Sequence, residues 1–148
     1  MIQSIEIVTE VTSQFVSEFN ALLPELSASA QPVTEFELKN IVTSPCTTLL
    51  VAKDEVGAVV GSLTLVVFRI PTGQRVWIED VVVSSKCRGL GIGEALCNAA
   101  IKRAVALGAV SVDLTSRPSR TAANRLYQKL GFTQRETNVY RLSNITAG

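Results

Sequence analysis

The pattern of apolar and polar positions changes period several times in the first part of the chain. Residues 2–8 alternate between apolar and polar, which predicts a first β-strand. Residues 9–26 instead place large apolar side chains on one helical face, namely Phe15, Phe19, Leu22, Leu23 and Leu26. Thr34 and Glu37, in the segment TEFE, match a capping box and predict the start of a short second helix.

Three apolar segments joined by short turns follow, at residues 48–53, 59–69 and 75–83. The connecting sequences DEVG and PTGQ contain the Gly and Pro residues that are typical of tight turns. Because short connections join antiparallel neighbours, we expect these three strands to be antiparallel.

A glycine-rich segment separates these strands from a different pattern. A helix is predicted over residues 89–107, with Gly108 ending it, followed by a strand at 109–115, a helix at 119–130 and a last strand at 132–142. The helix between strands 75–83 and 109–115 is a crossover, so that pair should be parallel. We therefore expect one α/β domain over residues 1–148, with a mixed, mostly antiparallel sheet and helices on both faces.

The composition excludes several catalytic mechanisms and classes of partner. The 148 residues are 47% hydrophobic and 18% charged, which is typical of a globular protein. The net charge of +1 gives no electrostatic reason to expect a nucleic acid or a membrane as partner. The chain has no histidine, which excludes Ser-His-Asp and Cys-His catalysis and argues against a catalytic metal. We expect no metal cofactor.

The cysteines and the N-terminal sequence indicate the cellular compartment of the protein. Cys46, Cys87 and Cys97 are odd in number and form no CxxC motif, which is typical of a reduced, intracellular protein. The first ten residues have neither the basic nor the apolar region of a signal peptide, and no apolar run reaches membrane-spanning length. We expect a cytoplasmic protein.

The segment SSKCRGLGIGEAL, residues 84–96, lies between a predicted strand and a predicted helix. The first turn of a helix has backbone N–H groups without helical acceptors, and the helix dipole adds partial positive charge there. The glycines allow an anion to approach these donors without a Cβ in the way. Lys86 and Arg88 add positive charge. A phosphate or diphosphate is the expected guest.

Two familiar phosphate loops do not fit this segment. The P-loop needs a Gly-Lys pair, which the chain lacks. The dinucleotide pattern GxGxxG fails because Leu96 or Glu94 occupies the third glycine position. A glycine-rich turn with no ligand, and a nucleotide-binding module unrelated to acyl transfer, remain alternatives.

The wider segment EDVVVSSKCRGLGIGEAL resembles the acetyl-coenzyme A signature of the GNAT N-acetyltransferase superfamily. Arg88, Gly91 and Gly93 match its core pattern of Arg or Gln, two residues, Gly, one residue, and Gly or Ala. A second family element, AANRLYQKLGF, spans Ala122 to Phe132, and the resemblance covers residues 76–139. It implies a GNAT-like fold with a splayed parallel strand pair. It also implies transfer of an acetyl group from acetyl-coenzyme A to a primary amine, by direct attack in a ternary complex.

The resemblance also implies where the coenzyme binds. The diphosphate would accept hydrogen bonds from the backbone of the glycine-rich bend, formed by Arg88, Gly89, Leu90, Gly91, Ile92, Gly93 and Glu94. The pantetheine arm would pair with the strand formed by Val81, Val82 and Val83, where a β-bulge opens a cleft. Asn124 would contact the coenzyme arm or the acceptor. An ordinary buried strand remains the alternative for the valines.

The catalytic candidates also follow from the family motifs. Tyr127 matches a tyrosine near the coenzyme sulfur and would act as acid toward the leaving thiolate. Glu79 would act as base, through water, while Asp80 should point to the opposite face by strand alternation. Packing against Leu126 and Leu130 is the alternative for Tyr127, and recognition of a cationic amine is the alternative for Glu79.

The sequence does not define the acceptor. The segment IEDVVV is similar to that of glucosamine-phosphate N-acetyltransferases, which are small single domains that dimerise. This similarity makes a homodimer an expectation and an amino-sugar phosphate one possible acceptor. A small-molecule amine or a protein amine is the expected class of acceptor. A non-catalytic module that binds acyl-coenzyme A on the same fold is the alternative function.

Overall fold

A computed structural model describes the backbone of residues 2–146 and the side chains of residues 4–146. The chain divides into two compact units, residues 1–116 and 117–148. The first unit contains β1 (Ile2–Ile7), α1 (Ser13–Leu26), α2 (Glu35–Thr43), β2 (Thr47–Asp54), β3 (Val59–Ile70), β4 (Gly73–Val83), a 3-10 turn (Ser85–Cys87), α3 (Ile92–Ala106) and β5 (Ser111–Asp113). The second contains α4 (Thr121–Lys129).

The sheet of the first unit has five strands in the order β1-β2-β3-β4-β5. Its first four strands pair antiparallel, each with its neighbour along the chain. β4 and β5 pair parallel and are connected through α3. The predicted mixed sheet, with one parallel pair joined by a helical crossover, is therefore confirmed.

Helices cover both faces of this sheet. On one face, Phe15 of α1 and Leu38 of α2 belong to a buried cluster that includes Val51 and Val82 of the sheet. On the other face, α3 places Ile92 against β3. The predicted capping box is present, because the Thr34 hydroxyl accepts from the Glu37 N–H and the Glu37 carboxylate accepts from the Thr34 N–H. Donation from the Thr34 backbone lowers the pKa of Glu37.

The predicted last strand at residues 132–142 is wrong. From residue 132 to residue 146, where the described backbone ends, no strand is formed. A strand needs a partner edge as well as suitable residues, and this segment pairs with none of the described strands. Val139 and Tyr140 are 73% and 87% exposed.

The observed bounds of two other elements differ from the predicted ones for local reasons. α3 begins at Ile92 instead of residue 89, because Gly89 and Gly91 adopt positive φ values that no α-helix contains. β5 contains only Ser111–Asp113 of the predicted 109–115, since its pairing with β4 ends at Asp113.

Candidate active site

β4 contains a bulge in its second half. Glu79 pairs with Thr64 and Val82 pairs with Ser62, so the two intervening residues of β4 face Leu63 alone. Asp80 is one of those two and has a φ of 51°, in the left-handed region. A single extra residue with irregular backbone is the definition of a β-bulge. The sequence resemblance predicted a bulge in this strand, and the structure has one.

The bulge changes which side chains share a face. Regular alternation predicted Glu79 and Asp80 on opposite faces, but the extra residue interrupts the alternation at Asp80. Because Thr64 and Ser62 are two positions apart on β3, their partners Glu79 and Val82 lie on the same face. Val82 packs in the cluster with α1 and α2, so Glu79 is on that face of the sheet. Both Glu79 and Asp80 are exposed.

β4 and β5 pair over only a short stretch. Residues Arg75–Trp77 pair with Ser111–Asp113, and no described strand pairs with that edge of β4 beyond this point. The Ser84 N–H donates to a β3 carbonyl at 2.8 Å. Because neighbouring residues direct their backbone groups to opposite edges, Val83 directs its groups toward the open edge. This is the edge along which the resemblance places the pantetheine arm.

The glycine-rich bend lies directly after β4. Gly89 and Gly91 have φ values of 79° and 77°, which are favourable only for glycine. Gly91 is the N-cap residue of α3, and no side chain caps the helix there. A Cβ built on Gly89 or on Gly91 would meet no atom within 4 Å. The bend therefore presents the start of a helix to open space, an arrangement suited to an anion.

A glycine in β3 fixes the distance between this bend and the sheet. Ile92, the first residue of α3, is buried and packs over Gly61. A Cβ on Gly61 would lie 3.0 Å from Ile92 Cγ2 and 3.2 Å from Leu96 Cδ1. Sequence reasoning missed Gly61, although an isolated glycine inside a predicted strand is a known sign of close approach.

Glu25, near the end of α1, also contacts the segment that leads into the bend. Its carboxylate accepts from the Ser85 hydroxyl at 2.7 Å and from the Ser85 N–H at 3.2 Å. Arg88 Nη2 lies 3.4 Å from the other carboxylate oxygen. The Ser85 hydroxyl, more than any other group, holds the pKa of Glu25 below its usual range. Glu25 and Ser85 are 60 positions apart, so no local sequence pattern predicts this contact.

The remaining candidates belong to the second unit. Tyr127 is buried, and its ring packs edge to face with Phe132 at a centroid distance of 6.0 Å. The Asn124 side-chain amide donates to the Arg117 carbonyl at 3.0 Å, which stabilises the turn before α4. Asn124 thus has a local structural contact. The predicted roles of Tyr127 and Asn124 toward a coenzyme or acceptor stay predictions.

The bulged strand, the splayed parallel pair and the glycine bend together define a GNAT-like fold. The chain belongs to the acetyltransferase (GNAT) family, whose sequence profile matches residues 12–132. No curated protein sequence matches the chain significantly.

Solved structures agree with this assignment. An acetyltransferase from Trypanosoma brucei is 29% identical, with a TM-score of 0.76, and the match covers 95% of this chain and 99% of that one. Glucosamine-6-phosphate N-acetyltransferase from Arabidopsis thaliana is 20% identical, with a TM-score of 0.78 and coverage of 96% and 100%. An aminoglycoside 6'-N-acetyltransferase from Acinetobacter baumannii is 19% identical, with a TM-score of 0.76 and coverage of 97% and 99%. The last two matches show the fold alone.

Two structural features are absent from the residues that the structure describes. None of their helices is both long enough and apolar enough to cross a membrane. Within the same part of the chain, no group of three or more His, Cys, Asp or Glu side chains is placed to hold a metal ion.

Proposed function

We propose that this protein is an acetyl-coenzyme A-dependent N-acetyltransferase that acetylates a primary amine. Membership of the GNAT family supplies the general reaction. The observation that carries the proposal is the open bend at Gly89 and Gly91, which adjoins the unpaired edge of β4. The N–H groups at the start of a helix can bind a diphosphate. A free strand edge can pair with the amides of the arm that follows the diphosphate.

In this proposal, the backbone of the chain binds most of the cosubstrate. The diphosphate accepts from N–H groups in residues 88–94, with no glycine Cβ in its way. The pantetheine amides pair with the backbone groups of Val81 and Val83. The side chain of Val82 is buried in the cluster with α1 and α2, which holds this part of β4 in place.

The proposed reaction is a direct acyl transfer. The amine nitrogen attacks the thioester carbonyl carbon, a C–N bond forms, the C–S bond breaks and the sulfur leaves as a thiolate. The attacking nitrogen loses a proton, and the thiolate gains one. We assign proton removal to Glu79, through water, and proton donation to Tyr127. The exposure of Glu79 gives water access to its carboxylate.

The acceptor is proposed as a class, either a small-molecule amine or a protein amine. Glu79 and Asp80 are adjacent, exposed carboxylates and favour an acceptor that arrives as a cation. The structurally similar enzymes named above act on an amino-sugar phosphate and on an aminoglycoside, so the fold alone does not select the compound. We further propose that the protein acts in the cytoplasm as a homodimer, without nucleic-acid or membrane partners.

The test is an acetylation assay with a broad amine panel, in which thiol release and product mass are followed together. We expect at least one amine to gain one acetyl group per thiol released. Coenzyme A binding without turnover on any amine would instead favour a non-catalytic acyl-coenzyme A module. Stronger thermal stabilisation by ATP or NAD than by coenzyme A would contradict the proposal.

A further inference from the structure

Glu25 places a negative charge beside a bend that is proposed to bind an anion. Residues 84–94 contain two cations, Lys86 and Arg88, and one carboxylate, Glu94. With Glu25 added, this set has two positive and two negative side chains. The Glu25 side chain is 29% exposed, and the residue as a whole is exposed.

The contacts of Glu25 are those that a phosphate oxygen would make. Carboxylate and phosphate oxygens both accept from backbone N–H groups and from guanidinium groups. Glu25 accepts from the Ser85 N–H and contacts the Arg88 guanidinium, two donors that lead into the bend. A carboxylate in this position therefore competes with a diphosphate for the same kind of donor.

The contacts of the Glu25 carboxylate with Ser85 and with Arg88 differ in strength. The bond from the Ser85 hydroxyl is 2.7 Å long, within the range of a strong charge-assisted bond. The Arg88 contact, at 3.4 Å, is longer than such bonds usually are. Arg88 is also the more exposed partner, with 64% of its side chain accessible. Arg88 can therefore leave Glu25 while Ser85 stays bound to it.

On the basis of the proposed function, we propose that Glu25 is an internal competitor for the coenzyme diphosphate. In the absence of coenzyme it holds Arg88 through their ion pair. When the diphosphate binds, Arg88 turns to the diphosphate and Glu25 keeps only Ser85. Glu25 is thus a positioning residue that lowers coenzyme affinity, and it links the end of α1 to the occupancy of the bend.

The substitution Glu25→Gln separates charge from geometry. Glutamine keeps an oxygen that can accept from Ser85 but has no negative charge. We expect E25Q to bind coenzyme A about two- to fivefold more tightly, which matches the range of a partly exposed ion pair. The matched control is E18Q on the same helix, because Glu18 contacts Gln14 and the Val59 N–H instead of the bend. We expect no change in E18Q.

Calorimetric titration of coenzyme A gives the dissociation constants, and thermal unfolding confirms that each variant folds. A double-mutant cycle with Arg88→Met adds a readout that a structural role would not produce. If Glu25 competes for Arg88, the R88M change should weaken binding by a larger factor in the E25Q background than in the native one. A smaller factor, or E25Q binding no more tightly than the native protein, would overturn the competitor role.

The outcomes distinguish this inference from the proposed function. If coenzyme A binds and E25Q tightens it, the inference holds even when no amine is acetylated, because it concerns binding alone. If coenzyme A binds and E25Q does not tighten it, the inference fails and the transferase proposal is unaffected. If neither the native protein nor E25Q binds coenzyme A, both proposals are wrong.

Discussion

Gly61 of β3 and Ile92 of α3 are packed so closely that a Cβ on Gly61 would fit only if a neighbouring group moved slightly. A Cβ there would stand 3.0 Å from Ile92 Cγ2 and 3.2 Å from the Val82 carbonyl oxygen. The first atom is on the helix that follows the glycine bend, and the second is on the strand that precedes it. Gly61 therefore sets the spacing between the two elements that flank the proposed coenzyme site.

Gly61→Ala should disturb both stability and binding. We expect the free energy of unfolding to fall by about 1–3 kcal/mol, as for other overpacked core positions. The dissociation constant for coenzyme A should rise as well, because Ile92 must move and carries the bend with it. Denaturant unfolding and calorimetry measure the two effects. Unchanged stability would show that α3 does not need this close approach.

Gly89→Ala and Gly91→Ala should affect binding more than stability. Each has a positive φ and open space around it, so alanine costs only the left-handed backbone penalty of about 1–2 kcal/mol. Coenzyme A binding should weaken further, because the new Cβ occupies the proposed diphosphate space. The control is Gly108→Ala, which has a φ of 73° after α3 and is equally open. Equal binding losses in all three variants would contradict the assignment of the bend.

Glu79→Gln should lower turnover by about 10²-fold or more, the usual contribution of a general base. Asp80→Asn is the matched control, since asparagine tolerates the left-handed φ of 51° and keeps the bulge. We expect a much smaller effect from D80N. Steady-state rates at saturating acetyl-coenzyme A measure the difference. A KM increase for the amine without loss of kcat in E79Q would instead support recognition of a cationic acceptor.

Tyr127→Phe should reduce kcat by about 10²-fold, because it removes the proposed proton donor to the thiolate. The edge-to-face contact with Phe132 does not need the hydroxyl, so folding should persist. Coenzyme A affinity should stay close to the native value, and the exposed Tyr140→Phe should be neutral. Parallel losses in kcat and in coenzyme affinity would reject the acid role.

Cys97 should make stability depend on alkaline pH. Burial raises the pKa of its thiol from 9.0 to about 11, so the folded state keeps a proton that the unfolded state loses. The contribution of Cys97 to stability is therefore constant below about pH 9 and falls as pH rises toward 11. Urea unfolding of the native protein and of Cys97→Ala across this range measures it. An equal slope in both proteins would contradict this prediction.

Much of the fold follows from local patterns. The capping box at Thr34 and Glu37 predicted the start of α2, and the short turns predicted the antiparallel strands. The crossover helix predicted the parallel pairing of β4 with β5. These features depend on residues near each other in the chain, which is why sequence alone revealed them.

The errors and omissions have a common physical origin in distant contacts. Residues 132–142 have the composition of a strand, but pairing requires an edge that the segment itself does not encode. The contacts of Gly61 with Ile92 and of Glu25 with Ser85 join elements far apart in sequence. A bulge in this strand was expected from the family resemblance, whereas its position at Asp80 and its effect on Glu79 needed the observed register.

Residues of β4 on the two sides of the bulge contribute to the interiors on both faces of the sheet. Before Asp80, Ile78 pairs with Leu65, which is on the same side of β3 as Gly61 and thus faces α3. After it, Val82 belongs to the interior built by α1 and α2. This strand therefore lies between two apolar interiors, one on the α3 side of the sheet and one on the α1 and α2 side, and the bulge falls between Ile78 and Val82. A substitution of a buried residue on either face can therefore disturb the proposed site through β4. It can do so without changing any residue that is proposed to bind the coenzyme.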